Sequence, residues 1–296
     1  LSNAGSTPKA WNKKMLEDRH IGICEFWNKS VRLFDETEIK GGVAISIRDK
    51  KVDKGPIGLF TPYPQLNAIV RSVCKNKTFK SMSDIVVSRT AYRFTDLMHK
   101  DHPEAIGQLS EGHPYDVSTN IFERLPQVFF DDKPDDGNDY IRILGRMDNT
   151  RTMKFVRRDY IREVENLDGY KVFMAKANGT GAFGETLTPP IVGEPSVGNT
   201  ETFISIGEFY TLSEAMALKK YIATKFVRAL LGALKTTQDI TPEKWKFVPQ
   251  QDFSETSDID WSRSVEEIDA FLYKKYKLTD AEICFINEKV QAMKDV

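Results

Sequence analysis

The chain has 296 residues, of which 40% are hydrophobic, 29% charged and 11% aromatic, and its formal net charge is -1. That length holds one large or two small globular domains with a real core, and no apolar run reaches the roughly 18 residues that a membrane span needs. Three cysteines, Cys24, Cys74 and Cys284, are odd in number and lack C-x-x-C spacing, which argues against a disulfide framework or zinc cluster and for a reducing, cytoplasmic setting.

The near-zero net charge conceals segregation. Residues 141–178 hold nine Lys and Arg against five Asp and Glu, and residues 211–250 hold seven against three. Residues 131–140 carry five Asp against Lys133, and residues 251–270 seven acids against Arg263. Such a pattern can place one basic face on a neutral protein. An ordinary solvated surface is the alternative.

From the N-terminus, residues 9–20 are predicted helical and 21–26 extended. Residues 39–47, IKGGVAISI, pair a glycine turn with an alternating strand. Proline and glycine at residues 54–56 and 61–64 mark a domain boundary near residue 60. Leu66, Ile69, Val70 and Val73 follow at helical spacing. Residues 82–87 look strand-like, and residues 88–94, SRTAYRF, interleave Arg89 and Arg93 with aromatics, a pattern that can stack on bases or anchor a core edge. His99, His102 and His113 sit in a polar loop without a metal-binding helix motif.

Residues 141–156 predict a hairpin with a polar turn at 147–150, its exposed face and tip carrying Arg142, Arg146, Asn149, Arg151 and Lys154. Such a ribbon can enter a major groove, where Arg and Asn read guanine and adenine. A solvated amphipathic hairpin is the plainer reading.

A buried strand is expected at 171–175 and another at 202–206, separated by a glycine loop bearing Lys176, Asn178 and Thr180. Gly179, Gly181 and Gly184 match G-x-G-x-x-G, but a dinucleotide fingerprint must open a helix, and Pro189-Pro190 forbid one of useful length. Thr211 and Glu214 predict a capping box opening one long helix to about Gln238. Its apolar line runs through Ala215, Leu218, Ile222, Phe226, Ala229 and Ala233, with Lys220, Thr224, Arg228 and Lys235 opposite as a solvent-facing basic stripe. After an acidic connection, Ser264/Glu267 and Thr279/Glu282 cap two short closing helices.

No catalytic constellation is visible. The F-x-G-x-G and N-P-P-Y motifs of adenine methyltransferases, the PD-(D/E)xK nuclease motif, G-x-S-x-G and the P-loop are all absent.

Several segments resemble the C-terminal half of Eco57I-type restriction-modification methyltransferases. They are residues 3–16 (NAGSTPKAWNKKML), 39–44 (IKGGVA), 176–184 (KANGTGAFG), 200–207 (TETFISIG), 244–253 (KWKFVPQQDF) and 257–261 (SDIDW). The resemblance implies a mixed α+β chain in which residues 1–60 end the methyltransferase sheet, 61–250 form a mixed-sheet target recognition domain, and 251–296 are an acidic linker and helical tail. It also implies an inactive piece of an adenine-N6 DNA methyltransferase whose S-adenosylmethionine site and N-P-P-Y motif lie upstream. Double-stranded DNA and the upstream domain are then the expected partners. The expected DNA-binding residues are Arg146, Asn149, Arg151, Lys154, Lys176, Asn178, Thr180, Lys220, Arg228 and Lys235, with Arg89 and Arg93 as further candidates. From a different class, a scaffolding module could use the same basic helix face to bind an acidic protein.

Overall fold

The computed structural model describes residues 9–27, 33 and 43–293. The glycine turn expected at residues 39–42, and residues 3–8 of the first quoted segment, lie outside them. The chain divides into two compact units, residues 1–72 and 73–296. The architecture is mixed α and β, with several sheets and helices.

In the first unit, helix α1 (Lys9–Glu17) precedes an antiparallel pair, β1 (Ile21–Trp27) and β2 (Val43–Arg48), whose register shifts between Ile23 and Glu25. Arg48 bonds Asp18 at 2.6 Å, and the turn after β2 returns through Lys54 N to Arg19 O. Helix α2 (Pro64–Cys74) runs across the division. Its apolar spacing is as the sequence predicts, with Leu66, Ile69, Val70 and Val73 all buried.

The second unit is organised around two sheets. Residues 82–87 are not one strand: Met82–Ile85 is a 3-10 turn capped by Ser81, and only β3 (Val86–Val87) is extended. Ser83 and Asp84 favour such local turns over a ladder. Short helices α3 (Asp96–Asp101), α4 (Ala105–Gln108) and α5 (Ile121–Arg124) follow. Then come β4 (Tyr140–Met147) and β5 (Thr150–Arg157), paired in register from Tyr140↔Arg157 to Met147↔Thr150. Strands β6 (Tyr170–Ala175), β7 (Ile191–Gly193), β8 (Val197–Asn199) and β9 (Phe203–Phe209) complete two sheets, ordered β3-β9-β6-β7 and β5-β4-β8.

The β4–β5 hairpin is held on both faces. Ile141, Ile143 and Val156 pack into a core with Phe94, Met98, Phe122 and Phe129 from the helical segment. Leu144, on the alternate face, joins Phe173, Val197 and Phe203 between the sheets. Each such side chain contributes about 1.5–3 kcal/mol of burial. Gly145 permits the crossing, because a Cβ there would lie 2.5 Å from the Phe122 ring. Lys171 is buried, and its ammonium donates to the carbonyls of Leu167 (2.7 Å) and Val197 (3.0 Å), pinning β8 to β6; burial pushes its pKa down to about 8.

The long helix expected from residue 211 to 238 is two. Helix α6 (Leu212–Ala223) ends at Thr224, where φ -60 and ψ 147 break the helix, and α7 (Lys225–Gly232) starts anew. Thr224 Oγ1 donates to Tyr221 O and accepts from Val227 N, so one hydroxyl closes the first helix and caps the second. The Asp269 carboxylate accepts from the amides of Lys225 and Phe226 at 2.8 and 2.9 Å. Asp269 lies on α8 (Val265–Lys275), which is followed by α9 (Asp280–Lys289). All three capping boxes read from the sequence form. Among the described residues no helix is long and apolar enough to cross a membrane.

Candidate nucleic-acid interface

Strand β8 pairs with β4 only at residues 142–144, so residues 145–152 continue as a two-stranded ribbon. Its turn residues, Asp148 and Asn149, have φ of 49° and 61°. Two consecutive left-handed residues make the primed hairpin turn that matches strand twist, and Asp and Asn tolerate that conformation better than other side-chain residues. Below the closing pair Met147↔Thr150, Arg146 and Arg151 are cross-strand partners. Like charges in that relation repel, and among the described residues neither forms an ion pair with a carboxylate. Arg146 Nη2 instead donates to Asn149 O (3.0 Å) and Oδ1 (3.4 Å), and Arg151 Nη2 to Pro189 O (3.2 Å). Burial, and then the charge of Arg146, lower the Arg151 pKa.

The ribbon end forms one wall of an open cleft of about 620 Å³. Thr119, Asn120 and Glu123 stand on a second wall beside Arg89, which is paired with Glu201 at 2.8 Å. The floor is the end of β6 and the start of β9: Ala175, Lys176, Ala177, Thr202 and Phe203, with Thr188 from the loop. Lys176 reaches Asp239 at 2.8 Å, and the buried Thr202 Oγ1 has no hydrogen-bond partner. The cleft therefore carries four cations, Arg89, Arg146, Arg151 and Lys176, and three acids, Glu123, Asp148 and Glu201. Such a surface offers donors in excess but acceptors as well.

The structure brings together Arg89, Arg146, Asn149, Arg151 and Lys176. It does not bring the other expected residues there. Lys154 is on the opposite face of the hairpin from Arg146, because the register sets it across from Ile143. At 8% exposure it is bound to Asp131 at 2.7 Å, which corrects its expected place on the exposed face. Arg93 pairs with Asp116 at 3.1 Å and lies over the Tyr115 ring. His113 also bonds Asp116, and His99 faces Pro114 O.

The glycine loop holds an anion of its own. Glu185 accepts from the amides of Thr180 (2.7 Å) and Gly181 (2.8 Å), from Thr180 Oγ1 and from Lys235 Nζ (2.5 Å). Burial pushes its pKa up, but Lys235 and the loop donors outweigh this and hold it at about 2. Gly181, at φ 94°, passes so close to Thr237 that a Cβ would meet its Cα at 2.7 Å. Asn178 is buried, accepting from Thr188 N and donating to Ala175 O. Asn178 and Thr180, expected to face phosphates or bases, thus serve the loop itself.

The solvent-facing stripe is likewise absent. Arg228 is 3% exposed and Lys235 5%, and Thr224 is fully buried. The non-helical Thr224 resets the phase of everything after it, so a single 100° progression across residues 211–238 fails. Arg228 donates to the carbonyls of Ala223, Glu185 and Gln291. Lys220 donates to those of Trp261, Ser262 and Arg263. A second cavity of about 590 Å³ between α7, α8 and α9 includes Arg228 and Asp269. Asp269 is pushed up to about 6 by burial, against the pull of the two α7 amides.

Asp148, Asn120, Glu123, Glu201 and Thr202 were not among the expected site residues. Asp148 alone had a local signal, its place in the turn; the others reach the cleft only through non-local packing.

No family model matches the chain, and no curated protein matches its sequence. Among solved structures, the type IIG restriction endonuclease BpuSI is similar with a TM-score of 0.38 and 11% identity. The match covers 87% of this chain and 36% of that one.

Proposed function

We propose that this chain is the DNA-recognition part of a restriction-modification adenine-N6 methyltransferase, and that the cleft at the β4–β5 end lies against duplex DNA. The carrying observation is the pair Arg146 and Arg151, opposed across the ribbon and, among the described residues, in no ion pair with a carboxylate. A fold gains nothing from that opposition, whereas a polyanion relieves it. Arg89 and Lys176 in the same cleft extend the cationic path. Phosphate contacts hold the duplex in register, and the ribbon end, narrow enough for a major groove, reads base edges.

The segments quoted above resemble the recognition half of such enzymes, and that resemblance supplies the rest of the reading. Methyl transfer with S-adenosylmethionine belongs to an upstream domain, and this chain positions the duplex for it. The scaffolding alternative drew on the basic helix stripe, of which Arg228 and Lys235 are buried and Lys220 is half-buried and bound to the carbonyls of residues 261–263.

Fluorescence anisotropy of the chain with a mixed pool of duplexes, at two salt concentrations, tests the reading. Binding that weakens steeply with salt is expected. Absence of binding at low salt overturns it.

A further inference from the structure

Asp148 is the one feature of the ribbon end that a purely phosphate-binding role leaves unexplained. It is exposed at the tip, and among the described residues its carboxylate makes no hydrogen bond. Near phosphates it would repel. The left-handed turn does not need the charge, since Asn or Gly suits that position equally well.

We propose that the ribbon end reads a G·C base pair from the major groove, an inference that rests on the DNA-binding reading above. Arg146 donates to the side-chain oxygen of Asn149. The amide oxygen is thereby turned back onto the arginine, and Nδ2 is left as an outward donor. An adenine contact by asparagine needs both amide atoms, the oxygen accepting from N6 and the nitrogen donating to N7. Here the oxygen already accepts from Arg146 at 3.4 Å with one of its two lone pairs, so an adenine contact must share it, whereas among the described residues Nδ2 has no partner. Guanine presents two acceptors, N7 and O6, in the major groove and no donor. The donors of Asn149 and Arg146 match that edge. The paired cytosine presents its N4 amine, a donor, beside them, and Asp148, next to Asn149 in the turn, is the acceptor that fits it. Arg151, across the ribbon and tied to Pro189 O, is left to the backbone phosphates.

Selection from a pool of randomised duplexes, with the chain as it stands, tests this. The expected outcome is a recovered site with one position fixed as G·C. Asp148→Asn and Asn149→Gly both keep the turn, as thermal melting will verify, and each is expected to lower discrimination at that position by roughly tenfold. Replacing that guanine with 7-deazaguanine removes the N7 acceptor and is expected to weaken wild-type binding while leaving Asn149→Gly nearly unaffected. A recovered site without a fixed G·C, or one whose G·C preference survives both substitutions, overturns the inference while leaving DNA binding intact. No recovery of any duplex overturns the DNA-binding reading with it.

Discussion

Two clusters of cations in the second unit look alike in sequence and differ in what they are paired with. Around the glycine loop and α7, Lys235 is bound to Glu185, and Arg228 is enclosed by carbonyl oxygens. Each positive charge has its acceptors within the chain. At the end of the β4–β5 ribbon, Arg146 and Arg151 oppose each other, and among the described residues neither forms an ion pair with a carboxylate. The first cluster is part of the fold's interior, and the second, on the function proposed above, is completed by an outside anion. A count of lysines and arginines cannot separate these cases, because the separating fact is the partner of each charge.

The sharpest way to break the comparison is to remove the anion from the first cluster. Glu185→Ala leaves Lys235 buried without a counter-ion and frees two loop amides, and it is expected to cost about 3–5 kcal/mol in urea unfolding. A loss within experimental scatter would show that the loop is not held by its own carboxylate. The same pair sets a pH dependence. The folded-state pKa of Glu185, about 2, is below its ordinary 4.5, so its contribution is complete above pH 4.5 and is lost as pH falls toward 2. Wild-type stability is expected to decline through that window, and Glu185→Gln should flatten the part of the decline that this carboxylate causes. A smaller effect is expected at Lys220, which closes the connection at residues 261–263. Lys220→Ala should cost about 1–3 kcal/mol in thermal unfolding and leave duplex affinity unchanged; a matching loss of affinity would place the α6 surface on the DNA.

Local signals in the sequence reached the elements but not the sites' partners. Alternation and the polar turn located the hairpin within one or two residues, and Thr211/Glu214, Ser264/Glu267 and Thr279/Glu282 located three helix starts. These are short-range rules whose participants are adjacent. The helix break at Thr224 escaped because it is stabilised by Asp269, 45 positions later in the chain. Lys154 escaped because alternation gives two faces without saying that both are covered here. Arg146, Asn149, Arg151 and Lys176 were legible from residue type near a turn or strand end. Their shared cleft with Arg89 was not, since it requires two sheets and α5 to converge.

The most direct measurement is the slope of log affinity against log salt for duplex binding, in the wild-type chain and in Arg146→Ala/Arg151→Ala. Each phosphate neutralised contributes about 0.9 to that slope. The double variant is expected to fold with wild-type stability and to bind more weakly, with a slope shallower by about one to two. An unchanged slope and affinity would contradict the claim that these two unpaired arginines are the DNA-facing charges of the molecule.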